Sequence, residues 1–129
     1  PMWFQEVISS YVSTLNNCPY SYANHWANAC HLMADPQKAE QIEAAFKIRA
    51  PEKVFKGSQL AFLRYAEKLT LSPKDMCKAD VDMLKEEGIS DGEILEANQI
   101  IGYFNYVNRL LNGLGVSTDG DVVGYYKSD

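Results

Sequence analysis

The sequence predicts an all-α protein, built as a single-domain bundle of about six helices. Apolar residues recur at helical spacing in successive segments, start and stop signals separate those segments, and no segment alternates as a half-buried strand would. The 129 residues suit one domain, and 47% hydrophobic residues supply a core. We expect the helical domain to span residues 1–116 and residues 117–129 to form a loosely held C-terminal tail.

Six segments carry the amphipathic helical pattern: residues 2–15, 19–33, 36–50, 58–69, 73–88 and 90–112. Their starts have recognisable signals. Pro19 and Pro73 suit the first helical position, where the missing N–H would have no partner. Ser58 is assigned as an N-cap, and Ser90 with Glu93 has the spacing of a capping box.

The last predicted helix is the longest, and its apolar residues cover a broad arc: Ile94, Leu95, Ile100, Ile101, Phe104, Val107, Leu110 and Leu111. Such an arc predicts burial on more than one side, and we expect the second side to face another subunit. Gly113 and Gly115 supply the stop signal. Between the third and fourth helices, residues 51–57 are predicted to form a loop.

Charge and cysteine content narrow the function classes. The formal net charge of -5 provides no basic footprint, which argues against a nucleic-acid or anionic-membrane partner. No apolar run approaches the ~20 residues of a membrane span, and no signal-peptide pattern opens the sequence. Three cysteines, an odd number, fit a reducing, cytoplasmic location. Because residues 1–4 run straight into a helical pattern without a capping segment, we expect further residues to precede Pro1.

The candidate site lies at the start of the second helix, where a thiol, a hydroxyl and an imidazole share one face. Cys18, Ser21 and His25 stand at positions i, i+3 and i+7. A thiol near a helix N-terminus meets the positive end of the helix dipole, which favours the nucleophilic thiolate. Histidine titrates near neutral pH and suits proton transfer. Glu6 lies off the apolar stripe of its helix, so periodicity alone predicts a solvent-exposed carboxylate.

Together these residues resemble the Glu-x11-Cys-x2-Cys-x3-His motif of the alkyl hydroperoxidase D-like / carboxymuconolactone decarboxylase superfamily. Glu6, Cys18 and His25 keep the offsets of that motif, and Ser21 occupies the position of its second cysteine.

Three further segments, residues 61–70, 88–94 and 104–109, resemble the peroxidase-related subgroup of that superfamily, so the resemblance covers residues 2–116. Members of the subgroup usually carry an additional N-terminal segment.

The resemblance implies an all-helical alkyl hydroperoxidase D-like fold and a homo-oligomer, either a trimer or a hexamer. It also implies reduction of hydroperoxides in antioxidant defence, with a thiol or dithiol as reducing partner and without metal or organic cofactor. Cys18 would then be the redox thiol, while His25 and Glu6 would pass protons. The hydroxyl of Ser21 could relay a proton or donate a hydrogen bond.

Ser21 departs from the motif, because it leaves Cys18 without a partner thiol at i+3. Cys30 stands 12 residues away on the same helix, which is ~18 Å along the axis and beyond the ~7 Å limit for a disulfide. Cys77 could approach only through tertiary folding or from another subunit. Three explanations stay open: a natural one-cysteine site, an introduced Cys-to-Ser change, or a site that has lost peroxidase activity.

Two other functions remain open on the same residues. His25 and Glu6 could perform cofactor-free decarboxylase or lactone-type chemistry without a thiol, and the chain could instead be a non-enzymatic helical oligomer. Cys30 and His31 are expected to be ordinary helix residues. With Cys18 and His25 they offer no compact set of four ligands, so no zinc site is predicted.

Overall fold

The computed structural model describes residues 1–126, and they form six α-helices with no strand among them. The helices are α1 (Met2–Leu15), α2 (Pro19–Met33), α3 (Pro36–Lys47), α4 (Gly57–Leu71), α5 (Lys78–Glu86) and α6 (Asp91–Leu114). Two short 3-10 segments, Pro51–Lys53 and Pro73–Asp75, lie between them. The all-α prediction is confirmed. No helix in this part of the chain is long and apolar enough to cross a membrane.

Helix α1 is the centre of the bundle, because it packs against α2, α3, α4 and α6. Its apolar stripe, including Val7 and Tyr11, is fully buried. The serines on its other side are buried as well, which periodicity did not predict. Their hydroxyls find partners within the helix: Ser10 donates to the Glu6 carbonyl at 2.7 Å and Ser13 donates to the Ser9 carbonyl at 2.9 Å.

The predicted signals at the starts of α2 and α6 are present, and α3 also begins with an N-cap. Pro19 is the first residue of α2, and the Asp35 carboxylate accepts the Lys38 amide N–H at 3.0 Å. The capping box at α6 is formed in both directions, with Ser90 accepting from the Glu93 amide and Glu93 accepting from the Ser90 amide. The starts of α2 and α6 were therefore readable from local chemistry.

The fourth helix begins one residue earlier than predicted. Its N-cap is Lys56, and Ser58, which was assigned that role, lies inside the first turn. Gly57 has φ +54°, a backbone conformation that is unfavourable for residues other than glycine. The chain therefore turns into the helix through this glycine rather than through a serine cap. The predicted loop over residues 51–57 contains the short turn Pro51–Lys53.

The fifth helix is shorter than the sequence pattern indicated. Pro73 opens only a 3-10 turn, the backbone is extended at Met76, and the α-helix begins at Lys78. Its start is set by Asp80, whose carboxylate accepts the Cys77 amide N–H at 2.8 Å. Lys68 donates to the same carboxylate, and this hydrogen bond holds the pKa of Asp80 below its ordinary value. Asp80 thus ends the irregular segment and ties α5 to α4.

Helix α6 buries one side within this chain and leaves apolar residues on the other. The buried residues are Ile94, Ala97, Ile101, Phe104 and Asn108. The exposed apolar residues are Leu95, Tyr103, Tyr106, Leu110 and Leu114. The expected contact with another subunit on this second side stays a prediction. Gly115, with φ +65°, provides the predicted left-handed stop, and Gly113 lies within the helix.

Candidate functional site

Cys18 is the N-cap of α2, and it is almost completely buried, with 1% of its surface exposed. Its amide N–H donates to the Ser13 carbonyl at 2.9 Å, which fixes the turn between α1 and α2. The residue lines a cavity of about 250 Å³ between α1, α2 and α3. A small molecule in this cavity would therefore lie beside Cys18.

The cavity beside Cys18 has aromatic walls and a few polar groups. Tyr22 and Phe46 line it, together with Glu43 and Lys47 from α3. The Tyr22 hydroxyl donates to Glu43 at 3.4 Å, and its ring stacks on Trp26 with centroids 6.0 Å apart. Burial, and then the Glu43 carboxylate, raise the pKa of Tyr22, so the phenol stays a neutral donor. The cavity suits a largely apolar molecule that carries a small polar group.

Ser21 is buried and turned toward α1. Its Oγ lies 2.9 Å from the Oγ of Ser13, and Asn108 donates to Ser13 at 3.3 Å. Ser13 has one hydroxyl proton, and the Ser9 carbonyl at 2.9 Å can accept it. The arrangement that satisfies every group has Ser21 donating to Ser13. The second-cysteine position of the motif is thus part of a hydrogen-bond network with α1 and α6.

The network extends from Ser13 through asparagines to α4. Asn16 donates to the side-chain oxygens of Asn105 and Asn108, at 3.0 and 3.1 Å. Asn105 in turn donates to Thr70 at 3.0 Å. Asn108 is fully buried, so these bonds replace the water that its amide would otherwise require. The start of α2 is therefore anchored by a buried polar network.

Glu6 and His25 form a close pair, with 2.7 Å between Oε2 of Glu6 and Nδ1 of His25. Their side chains are 18% and 16% exposed. The periodicity-based prediction of a solvated Glu6 is therefore wrong, because α2 packs along this side of α1. A carboxylate that accepts Nδ1–H leaves the lone pair on Nε2, so His25 is arranged to accept a proton there.

The pair has its own surroundings, separate from those of Cys18. The edge of the His25 ring contacts Phe104, with centroids 4.5 Å apart. Glu6 and His25 line a cavity of about 160 Å³ together with residues of α1 and α6. His25 stands seven positions after Cys18, which corresponds to ~10 Å along the helix axis. The structure thus joins Glu6 to His25 but gives Cys18 a different cavity.

Two groups at this site were missed by the sequence analysis: Asn28 and the C-terminal residues that contact it. Asn28 donates to Oε1 of Glu6 at 3.3 Å, and its own oxygen accepts the Tyr125 amide N–H at 2.8 Å. The expectation of a loosely held tail thus fails at Tyr125, because backbone donors meet side-chain acceptors on α2. Residues 127–129 of that predicted tail lie outside the described residues. Asn28 follows His25 by three positions and so lies one helical turn beyond it, and this spacing was the signal in the sequence that could have included Asn28 in the site.

The described residues contain no group of three or more His, Cys, Asp or Glu side chains that could hold a metal ion. Cys18, Cys30 and Cys77 are all free thiols. Cys30 is half-buried, and burial raises the pKa of its thiol. His31 is exposed, and its ring stacks on Tyr126 with centroids 5.0 Å apart.

Comparison with known proteins identifies solved structures with a similar fold. No protein-family model matches the sequence, and no curated protein matches it. The structure is similar to that of an uncharacterized peroxidase-related protein from Silicibacter sp. TM1040, with a TM-score of 0.79 and 27% sequence identity over 91% of this chain and 59% of that chain. It is also similar to an uncharacterized peroxidase-related protein from Ralstonia eutropha JMP134, described as an alkylhydroperoxidase AhpD core. There the TM-score is 0.75 and the identity 25%, over 88% of this chain and 57% of that chain.

The chain therefore spans a little under three fifths of the length of these two proteins. The resemblance inferred from the sequence is confirmed: this chain has the alkyl hydroperoxidase D-like fold and is similar to peroxidase-related proteins.

Proposed function

We propose that this chain is a thiol-dependent, peroxidase-like oxidoreductase in which Cys18 reduces an organic hydroperoxide. The observation that carries the proposal is the position of Cys18, at the N-cap of a 15-residue helix and in the wall of a cavity of about 250 Å³. The cavity admits a small, largely apolar substrate beside the Cys18 side chain. The similarity to peroxidase-related proteins supports the same chemistry.

The reaction at Cys18 is a two-electron transfer from sulfur to the peroxide. The thiolate attacks one peroxide oxygen, an S–O bond forms and the O–O bond breaks. Cys18 becomes a sulfenic acid, and the other oxygen leaves as an alkoxide, which takes up a proton to give the alcohol. The products are the oxidised sulfur, one alcohol and no free oxidant.

An external thiol completes the cycle, because the chain offers Cys18 no partner at position 21. A first thiol condenses with the sulfenic acid, releasing water and forming a mixed disulfide. A second thiol then restores Cys18 and leaves as a disulfide with the first. Cys30 and Cys77 are free, and such thiols suit a reducing, cytoplasmic setting. The proposed reductant is therefore a small thiol or dithiol.

The proton for the leaving alkoxide is assigned to His25, with Glu6 as its partner. The 2.7 Å hydrogen bond from Nδ1 to Glu6 holds the ring in place and leaves Nε2 as the atom that exchanges the proton. Because His25 lies ~10 Å along the helix from Cys18, a relay is needed. Ser21 stands between the two on the same helix face, and we assign the relay to its hydroxyl, which must exchange its hydrogen bond with Ser13 for one along the relay.

We also propose that the chain forms a homo-oligomer, a trimer or a hexamer, through the exposed side of α6. Tyr103, Tyr106 and Leu110 are between 48% and 61% exposed on that side. Apolar side chains of this size on one helix face are typical of a protein interface.

The test is oxidation of Cys18 by cumene hydroperoxide, followed by trapping with dimedone and mass spectrometry. We expect the adduct on Cys18 and its complete loss in Cys18→Ala. Cys30→Ala and Cys77→Ala are matched controls, because each removes one free thiol outside the cavity beside Cys18 and should leave the adduct unchanged. A wild-type protein whose Cys18 stays reduced would contradict the proposal.

A second candidate is cofactor-free acid–base chemistry on a small organic acid or lactone. It is favoured by one observation: Glu6 and His25 form a complete pair in a cavity that Cys18 does not line. With this function, Cys18→Ala keeps full turnover of such a substrate while His25→Ala loses it. The peroxidase proposal requires the opposite result for Cys18.

A further inference from the structure

The C-terminal strap, defined as Gly124–Tyr126, crosses α2 directly beside the Glu6–His25 pair. Its backbone is held by two asparagines of α2. Asn24 accepts the Gly124 amide N–H at 3.0 Å, and Asn28 accepts the Tyr125 amide N–H at 2.8 Å. The Tyr125 ring meets the His25 ring edge-on, with centroids 5.9 Å apart.

Gly124 shows that the strap is fitted closely to α2. Its φ is +89°, and a Cβ at this position would lie 3.1 Å from the Cβ of Ala27 and 3.4 Å from Oδ1 of Asn28. Both the backbone conformation and the available space therefore require glycine. Gly120 also has a positive φ but meets nothing within 4 Å.

Asn28 connects the strap with the acid–base pair. The residue is 1% exposed, and both ends of its amide are used. Oδ1 accepts from Tyr125, while Nδ2 donates to Oε1 of Glu6 at 3.3 Å. The other carboxylate oxygen of Glu6 accepts from Nδ1 of His25.

We propose that Asn28 is a positioning residue for Glu6 and His25, and that the strap sets the orientation of its amide. An asparagine amide can be reversed, which exchanges its donor and its acceptor. The Tyr125 amide can only donate, so it fixes oxygen on its own side and directs the NH₂ group toward Glu6. If the Asn28 amide were reversed, its NH₂ group would face the Tyr125 N–H, which is also a donor, and its oxygen would face the Glu6 carboxylate.

The consequence for Glu6 is a fixed carboxylate. With Oε1 held by Asn28, Oε2 is aimed at Nδ1 of His25, and the imidazole keeps its proton on Nδ1. Nε2 then stays available for proton transfer. The catalytic relevance of this arrangement rests on the proposed function, whereas the arrangement itself can be tested without any substrate.

The experiment measures the tautomer of His25 by ¹⁵N NMR, at a pH high enough to keep the imidazole neutral. In the wild type we expect the Nδ1–H form to predominate. Asn28→Ala removes the donor to Glu6 and one strap bond, so the two tautomers should become mixed. Asn24→Ala is the matched control, because it also removes one strap bond but does not contact Glu6, and it should retain the wild-type tautomer.

A second pair of variants distinguishes the effect of losing the hydrogen bond to Glu6 from the effect of losing the hydrogen bond to the strap. Asn28→Asp and Asn24→Asp both keep an oxygen for the strap amide and add the same charge, and only Asn28→Asp loses the donor to Glu6. Gly124→Val should displace the strap and shift the tautomer in the same direction as Asn28→Ala, whereas Gly120→Val should not. Thermal unfolding of each variant identifies any that fails to fold.

Equal tautomer populations in Asn28→Ala, Asn28→Asp and the wild type would overturn the inference, as would equal effects of Asn28 and Asn24 substitutions. The result is independent of the peroxidase assay. If Cys18 is inert toward hydroperoxide while Asn28 controls the tautomer, the proposed function fails and this inference stands.

Discussion

The first turn of α2 and its middle differ in how they hold functional groups. At the first turn Cys18 and Ser21 are almost fully buried, and Ser21 is engaged with Ser13. In the middle of α2, His25 is partly exposed and pairs at 2.7 Å with Glu6, which α1 supplies. The acid–base pair has every partner it needs, while the thiol lacks the second thiol of the motif.

This difference shows that residues of one sequence motif can belong to separate cavities. The motif fixes positions along a helix, and a shared helix face brings its residues onto one side. Whether they reach the same substrate depends on what the neighbouring helices place between them. Here the Ser13–Ser21 contact lies between Cys18 and His25.

His25→Gln tests whether the two regions act together and has the largest expected effect. Loss of general acid catalysis should slow hydroperoxide-dependent oxidation of Cys18 by roughly 100-fold. The rate is measured by quenched-flow trapping with dimedone. His31→Gln is the control, because His31 is exposed and stacks on Tyr126, beyond the two strap residues whose amides Asn24 and Asn28 hold, and it should keep the wild-type rate. An unchanged rate in His25→Gln would mean that the two cavities work independently.

Asn108→Ala tests the buried network that anchors the first turn of α2. Removing this fully buried amide leaves Ser13 and Asn16 each short of a partner, which should cost about 1–3 kcal/mol in the free energy of unfolding. Urea denaturation measures it. The exposed Asn98 accepts one hydrogen bond from Tyr65, so Asn98→Ala should cost less. Equal losses in the free energy of unfolding for the two variants would show that the buried network stabilises the fold no more than a hydrogen bond at the surface does.

Ser21→Cys restores the dithiol of the motif and has the smallest expected effect. A disulfide between Cys18 and the new thiol should form after hydroperoxide treatment, and turnover with a dithiol reductant should rise about tenfold, or ~1.4 kcal/mol. Mass spectrometry of the oxidised protein and a coupled peroxidase assay measure both. Ser9→Cys serves as the control, since Ser9 is equally buried but lines the His25 cavity. If Ser21→Cys forms no disulfide, the contact with Ser13 holds the new side chain away from Cys18.

The fold was largely predictable because its helices are marked by local chemistry. The capping box of Ser90 and Glu93 and the proline at position 19 define helix starts without tertiary information. The start of α5 was predicted wrongly because a contact between helices contributes to it. The start of α5 depends on the Asp80 carboxylate and its bond to Lys68, and no local signal at Pro73 reveals it.

The site was predictable only in part, and by two different routes. Helix spacing placed Cys18, Ser21 and His25 on one face, whereas periodicity alone would have left Glu6 in solvent and only the resemblance to a known motif included it. Asn28 and Tyr125 escaped both routes. Their contact joins residues 97 positions apart, and it involves a backbone amide that carries no sequence signature.

The stacking of Tyr22 on Trp26 gives the protein an internal optical reporter. Tyr22 lines the cavity beside Cys18, so a molecule that enters the cavity changes the surroundings of the indole. The other tryptophan, Trp3, lies under the ammonium group of Lys38, at 4.4 Å, on a different part of the surface. In a Trp3→Phe background, the remaining tryptophan fluorescence comes from Trp26 alone. Ligand entry can then be followed as a change in emission while the thiol stays unmodified.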